Sequence, residues 1–260
     1  MADTAQATFS TAMGRARYLL KLYHGLANTR QRSIRTDWAE NFCDLMHWPK
    51  ANAANIDRID SNDVVLVLRD GASLTATDFD HDQLTDLLRA SLVMAISAMD
   101  AYFHSKILAY VVKAARKGDQ MPKALLKANI TVSDFVSATK YKRRMQALRN
   151  AMQRSLGFQS FQQAKNIEDA LGLIGIAKFW SSTATRMAKP LDDVKKELAS
   201  HVKRRNQIAH EGDLSQSKKS RNKPHDITPK QVSEALDFLD SLVTHAEIEL
   251  NLQLTTLGIA

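Results

Sequence analysis

Apolar residues recur along this chain at helical steps. Phe9, Met13, Ala16, Leu20 and Tyr23 fall three or four residues apart, with Arg15, Arg17 and Lys21 between them, so one face is greasy and the other charged. This spacing predicts an amphipathic helix over residues 5–27. Residues 35–60 bring Trp38, Phe42, Leu45, Met46 and Trp48 ahead of Pro49, a second helix that proline should stop because its ring cannot continue the hydrogen-bond ladder. The pattern then changes. Val64, Val65, Leu66, Val67 and Leu68 run without polar interruption into Asp70-Gly71, which suits one strand or one short β-hairpin set between helices.

From Gln83 to Arg116 the chain is apolar on nearly every side and holds neither glycine nor proline, as expected of a helix buried at the centre of a fold. Further helices are expected over 132–155, 160–174 and 191–210. A last one should follow Thr228-Pro229 to about Leu250, with Thr228 as N-cap and Pro229 at the first helical position. The fold class is therefore all-α. A break near residue 80 would divide it into a mostly helical N-terminal subdomain, 1–80, and a helical domain, 81–260.

Composition narrows the classes. Only 9 glycines and 5 prolines occur in 260 residues, few for a turn-rich β architecture, and 44% hydrophobic content fills a sizeable core. Cys43 is the single cysteine, so the chain has no intrachain disulfide, which suits a reducing compartment. No signal-peptide core and no run of about 18 apolar residues occurs, so the expectation is a cytoplasmic protein with no membrane partner. Lys and Arg outnumber Asp and Glu by 36 to 28, a formal charge of +8, which favours polyanionic partners.

Candidate chemistry concentrates in HVKRRNQIAHEGD, residues 201–213. Asn206 and His210 are four residues apart, hence neighbours on one helix face, and Arg205 flanks them. A guanidinium can hold phosphate oxygens bidentately, and an imidazole can move protons near neutral pH. The same residues also make an ordinary helix C-terminus, in which a late histidine complements the dipole and Gly212 supplies the left-handed cap. Spacing by itself leaves both readings open.

RRNQIAHEGD resembles the RxxxxH signature of the HEPN superfamily, matched by Arg205 through His210 with Asn206 directly after the arginine. SLVMAISAMDAYFHSKI resembles the early core helix of that superfamily. The stretch FWSSTATRMAKPLDDVKKELASHVKRRNQIAHEGD, with a final helix after it, resembles the RiboL-PSP-HEPN subgroup, over roughly residues 82–250. Some members carry a tyrosine two positions after the histidine, where this chain has Gly212. The resemblance implies a HEPN-like helical bundle with an N-terminal helical extension, and a homodimer that brings two motifs into one cleft. It further implies metal-independent endoribonuclease activity without a cofactor, in a toxin or antiphage effector with RNA as substrate and an antitoxin or regulatory protein as partner. Carried over, His210 acts as general acid or base, Arg205 stabilises phosphorane charge and Asn206 orients. Inactive HEPN proteins exist, so the alternative is a non-catalytic module binding RNA, nucleotide or protein.

Other groupings are weaker. Asp100 and His104, four apart on the central helix, form either a second polar patch at the same cleft or a hydrogen-bonded structural pair; Asp100 is the fourth candidate catalytic residue. Lys140, Lys142, Arg143, Arg144, Arg149 and Arg154 contain no acid among them and can track a phosphate backbone or simply form a solvated face. Lys218, Lys219, Arg221 and Lys223 are a second basic group directly after the motif. Cys43 and His47 have helical metal-ligand spacing without two further ligands, and Asp78, Asp80, His81 and Asp82 suit a helix N-terminus; no metal is expected.

Overall fold

A computed structural model describes residues 4–27, 36–50, 81–129, 131–134, 136, 144–214 and 224–259. The expected β segment at 64–71 lies outside them. Among the described residues the architecture is a helical bundle with no strand beyond one isolated bridge. The helices are α1 (Thr4–Ala27), α2 (Thr36–Leu45), α3 (His81–Ala115), a 3₁₀ turn (Gly118–Gln120), α4 (Lys123–Leu126), α5 (Arg144–Gly157), α6 (Ala164–Gly172), α7 (Phe179–Arg186), α8 (Leu191–His210) and α9 (Pro229–Thr256).

The central helix is α3, which packs along α1 and also touches α5, α6, α8 and α9. Leu88, Ile96, Met99, Phe103, Ile107 and Val111 on it are completely buried. Small residues let α1 approach closely: Ala16 and Ala95 are fully buried, and the Ser91 hydroxyl donates to the Ala16 carbonyl at 2.8 Å, so the buried hydroxyl is satisfied. On its outer side α1 is tied to α9, where Arg17 reaches Asp237 at 2.8 Å and Asp240 at 3.0 Å.

Helix ends follow local chemistry. Helix α2 stops before Pro49, with His47 at φ 56° and the Trp48 N–H donating to the Cys43 carbonyl at 2.8 Å. At the start of α9, Thr228 Oγ1 accepts from the Gln231 N–H at 3.2 Å and Gln231 Oε1 accepts from the Thr228 N–H at 3.0 Å, a complete capping box. That helix runs past the expected end at Leu250 to Thr256 because Leu254 and Ile259 are still buried, and Gly258 at φ 63° then turns the chain. Helix α7 was not expected. It ties the bundle together: Trp180 Nε1 donates to the Ala164 carbonyl at 2.7 Å, and Arg186 Nε donates to the buried Glu249 carboxylate at 2.7 Å. Burial pushes Glu249 up, but hydrogen bonds from Gln253 and Arg186 outweigh it and hold the carboxyl below its usual range.

Candidate functional site

Helix α8 carries the site, and three apolar residues set its rotation. Val194, Leu198 and Val202 are buried, at the four-residue steps of one stripe. That anchoring leaves Arg205 and Asn206 half-buried and His210 exposed at the last turn. The helix ends there because Gly212 and Asp213 both take left-handed backbone, at φ 62° and 58°, and the Asp213 N–H donates back to the Gln207 carbonyl at 2.9 Å. Glycine adopts that conformation without cost and aspartate tolerates it.

The three candidate residues meet. Arg205 Nη1 donates to Asn206 Oδ1 at 3.1 Å and lies 3.1 Å from His210 Nε2. An arginine has only donors, so a hydrogen bond in this contact runs from the guanidinium to His210 Nε2. Ordinary helix capping and a converging polar cluster, alternatives by spacing, coexist here. The guanidinium is not saturated: Nη2 has no partner among the described residues, and Nε is buried without one. One turn earlier His201 Nε2 is also buried without a partner, with its ring 5.4 Å from that of Phe238. Burial pushes the His201 imidazole below its ordinary value.

The neighbouring arginine has the opposite fate. Arg204 grips Asp213 through two hydrogen bonds, the one from Nη2 at 2.9 Å, while Arg89 Nε from α3 reaches the same carboxylate at 2.5 Å. Both guanidinium groups also donate to the His225 carbonyl, at 3.0 Å from Arg89 and 3.2 Å from Arg204. The His225 N–H returns to the Asp213 carbonyl at 2.8 Å, and Leu214 bridges Pro224. The clamp therefore pins both ends of the segment 214–224 to α3 and α8. The Asp213 side chain is 4% exposed. Burial pushes its carboxyl up, and the hydrogen bonds and charges of Arg204 and Arg89 more than reverse this, holding it below its ordinary value.

Asp100 does not meet the trio. Its carboxylate accepts from the Phe161 N–H, and His104 beside it donates from Nε2 to the Gln159 carbonyl at 3.1 Å while its ring packs 4.2 Å from that of Phe161. This pair seats residues 159–161 on α3. The chain then continues as one wall of a groove of about 540 Å³, lined by Gln162, Gln163, Ala164 and Lys165 on one side and by Lys195, Ala199, Lys203 and Asn206 of α8 on the other, with Glu211 beyond. Sequence reasoning missed this groove and the Asp213 clamp. Of the proposed RNA-binding residues, Arg144 is exposed at the start of α5. Lys140, Lys142, Arg143, Lys218 and Lys219 lie outside the described residues. Arg154 is paired with the buried Asp134, which removes it from the free charges of that run.

Among the described residues no group of three His, Cys, Asp or Glu side chains gathers as metal ligands, and no helix is long and apolar enough to cross a membrane. The RiboL-PSP-HEPN family model matches residues 66–251. This match spans the central helix, the groove, the trio and most of the final helix, and the chain belongs to that family within the HEPN superfamily. No curated protein and no solved structure is a significant match to it.

Proposed function

We propose that the chain is a metal-independent endoribonuclease, acting in the cytoplasm as a toxin or antiphage effector on cellular RNA. The observation that carries this reading is the convergence of Asn206 Oδ1 and His210 Nε2 on one guanidinium nitrogen of Arg205, with Nη2 and Nε of that guanidinium left over. A phosphate arriving at Arg205 would draw Nη1 away from the imidazole and release the Nε2 lone pair beside the substrate. His210 then accepts the proton of the RNA 2′-hydroxyl as its oxygen attacks the adjacent phosphorus. Arg205 balances the charge on the phosphoryl oxygens. The 5′-oxygen leaves with a proton from water or from the imidazole of a second copy, and a 2′,3′-cyclic phosphate remains.

The proposal includes a homodimer that brings two copies of α8 to one cleft, and an antitoxin or regulatory protein that restrains it. Cleavage of RNA in excess EDTA, with cyclic phosphate identified at the new 3′ end, is the expected result. Binding of RNA without cleavage under any divalent-ion condition assigns the chain instead to a non-catalytic HEPN module. A mass in solution of one chain at tens of micromolar, with cleavage intact, removes the dimer from the proposal.

A further inference from the structure

The groove on α8 has a charge pattern that the reactive trio does not explain. Lys195 and Lys203 stand eight residues apart on this helix, so both belong to one stripe and are separated by about 12 Å along its axis. Asn206 continues the stripe about 4.5 Å further on and is itself held by Arg205. Across the groove stands Lys165, exposed, with Asp169 at 3.5 Å on its own helix. Such an exposed pair is weak and yields readily to a stronger anion. Neither Lys195 nor Lys203 has an ion-pair partner among the described residues. Among the described residues Glu211 is the only carboxylate in the lining, and it lies beyond the motif.

We infer that this groove is the track of a single RNA strand, with Lys165, Lys195 and Lys203 on its phosphates and the scissile linkage delivered past Asn206 to Arg205 and His210. This inference rests on the RNA-cleaving reading of the site and gives it a substrate path. Three cations and one distal carboxylate on a concave surface complement a polyanion, and the flexible lysine stems suit phosphates whose positions vary with sequence. The amides of Gln162, Gln163 and Asn206 add neutral hydrogen-bonding groups that can serve sugar and base edges without selecting one charge state. A strand fits better than a duplex because in-line attack by a 2′-hydroxyl needs a backbone free to leave A-form geometry. The path differs from the basic run at 140–154, since its cations come from α8, the helix that carries the trio, and from α6.

The test uses the full chain carrying His210→Ala, so that RNA stays intact, and measures binding of a fluorescent oligouridylate across a salt series. Replacing Lys165, Lys195 and Lys203 together by Gln should lower the salt slope by roughly 2 and the affinity near 0.1 M salt by on the order of 10². The triple Lys→Arg variant keeps the charges and should bind like the parent. If the triple Gln variant does not fold, Lys195→Gln and Lys203→Gln singly should each reduce the slope by roughly 0.7. Unchanged affinity and slope in folded variants overturns the groove while leaving the RNA reading in place. No RNA binding by the His210→Ala parent overturns both. Unchanged RNA affinity with an altered mass in solution makes the groove a protein interface and likewise overturns the inference.

Discussion

Arg204 and Arg205 are adjacent in sequence, share one helix and differ in everything that matters for chemistry. Arg204 is folded into a clamp in which Asp213, Arg89 and the His225 carbonyl satisfy one another. Arg205 instead touches an amide and an imidazole, neither of which neutralises its charge. A cation already paired with a buried carboxylate has little left to offer a substrate, whereas an uncompensated one is an anion site by default. The difference arises from a rotation of about 100° per residue around α8, which turns Arg204 toward α3 and the chain end at Asp213, and Arg205 toward His210. The clamp holds the helix end; the trio leaves a cation beside an imidazole, the pair on which the proposed reaction rests.

The strongest way to break this comparison is to remove the proton carrier alone. His210→Ala should lower RNA cleavage by about 10²–10⁴, the usual size of a general acid–base contribution, while the melting temperature stays put because the side chain is exposed. Full cleavage by this variant would show that the trio is only a helix cap. Asp213→Ala should do the reverse. Removing the shared carboxylate leaves two guanidinium groups facing each other, with Arg89 and Arg204 side chains 11% and 21% exposed, and should destabilise the fold by about 3 kcal/mol. Denaturant unfolding measures it, and a loss below about 1 kcal/mol would mean that the clamp is a solvent-screened surface pair.

A finer distinction uses pH. Because Asp213 is held below its ordinary carboxyl value of 3.8, its protonation in the folded state lags behind that in the unfolded state. Its stabilisation is therefore complete above the unfolded value and disappears as pH falls through the lower folded value. Asp213→Asn should accordingly cost the same stability at every pH above about 5 and progressively less on acidification below about 4. A gap between the two proteins that is independent of pH down to 2 would show that the carboxylate charge does not hold the clamp.

Much of this was legible in the chain and some of it was not, for physical reasons. Pro190 and Gly212 bracket α8, and Thr228-Pro229 opens α9, because termini obey local rules that need no tertiary contact. The RxxxxH spacing likewise placed Arg205, Asn206 and His210 near one another, since neighbours on a helix are neighbours in any fold. Helix α7 was hidden: it is eight residues long, and its N-cap is Lys178 in left-handed backbone at φ 53° instead of a Ser, Thr, Asp or Asn. The clamp was hidden for another reason, that Arg89 and Asp213 are 124 residues apart. The RxxxxH spacing singles out Arg205, but nothing local shows that Arg204 is spent on Asp213; only the packing of α8 on α3 does. The groove escaped because Lys165 and Lys195 are unremarkable singly and form a track only when α6 and α8 are brought together.

Asp100 gives the smallest expected effect and decides on which side of the comparison a residue of the central helix belongs. It was a candidate for chemistry, yet its carboxylate is engaged by the Phe161 N–H, and it reaches the groove only through the wall that residues 159–165 form. What that backbone donor requires is an acceptor, and an asparagine can present one in the same place. Asp100→Asn should therefore change stability by less than about 1 kcal/mol, whereas Asp100→Ala leaves the N–H without its partner and should cost about 1–3 kcal/mol. RNA cleavage should follow the same order, with the Asn variant within a few-fold of the parent and the Ala variant weakened through KM as the groove wall loosens. A loss in kcat as large as that of His210→Ala, in an Asp100→Asn protein of undiminished stability, would instead put the Asp100 carboxylate in the reaction and require the wall to move on substrate binding.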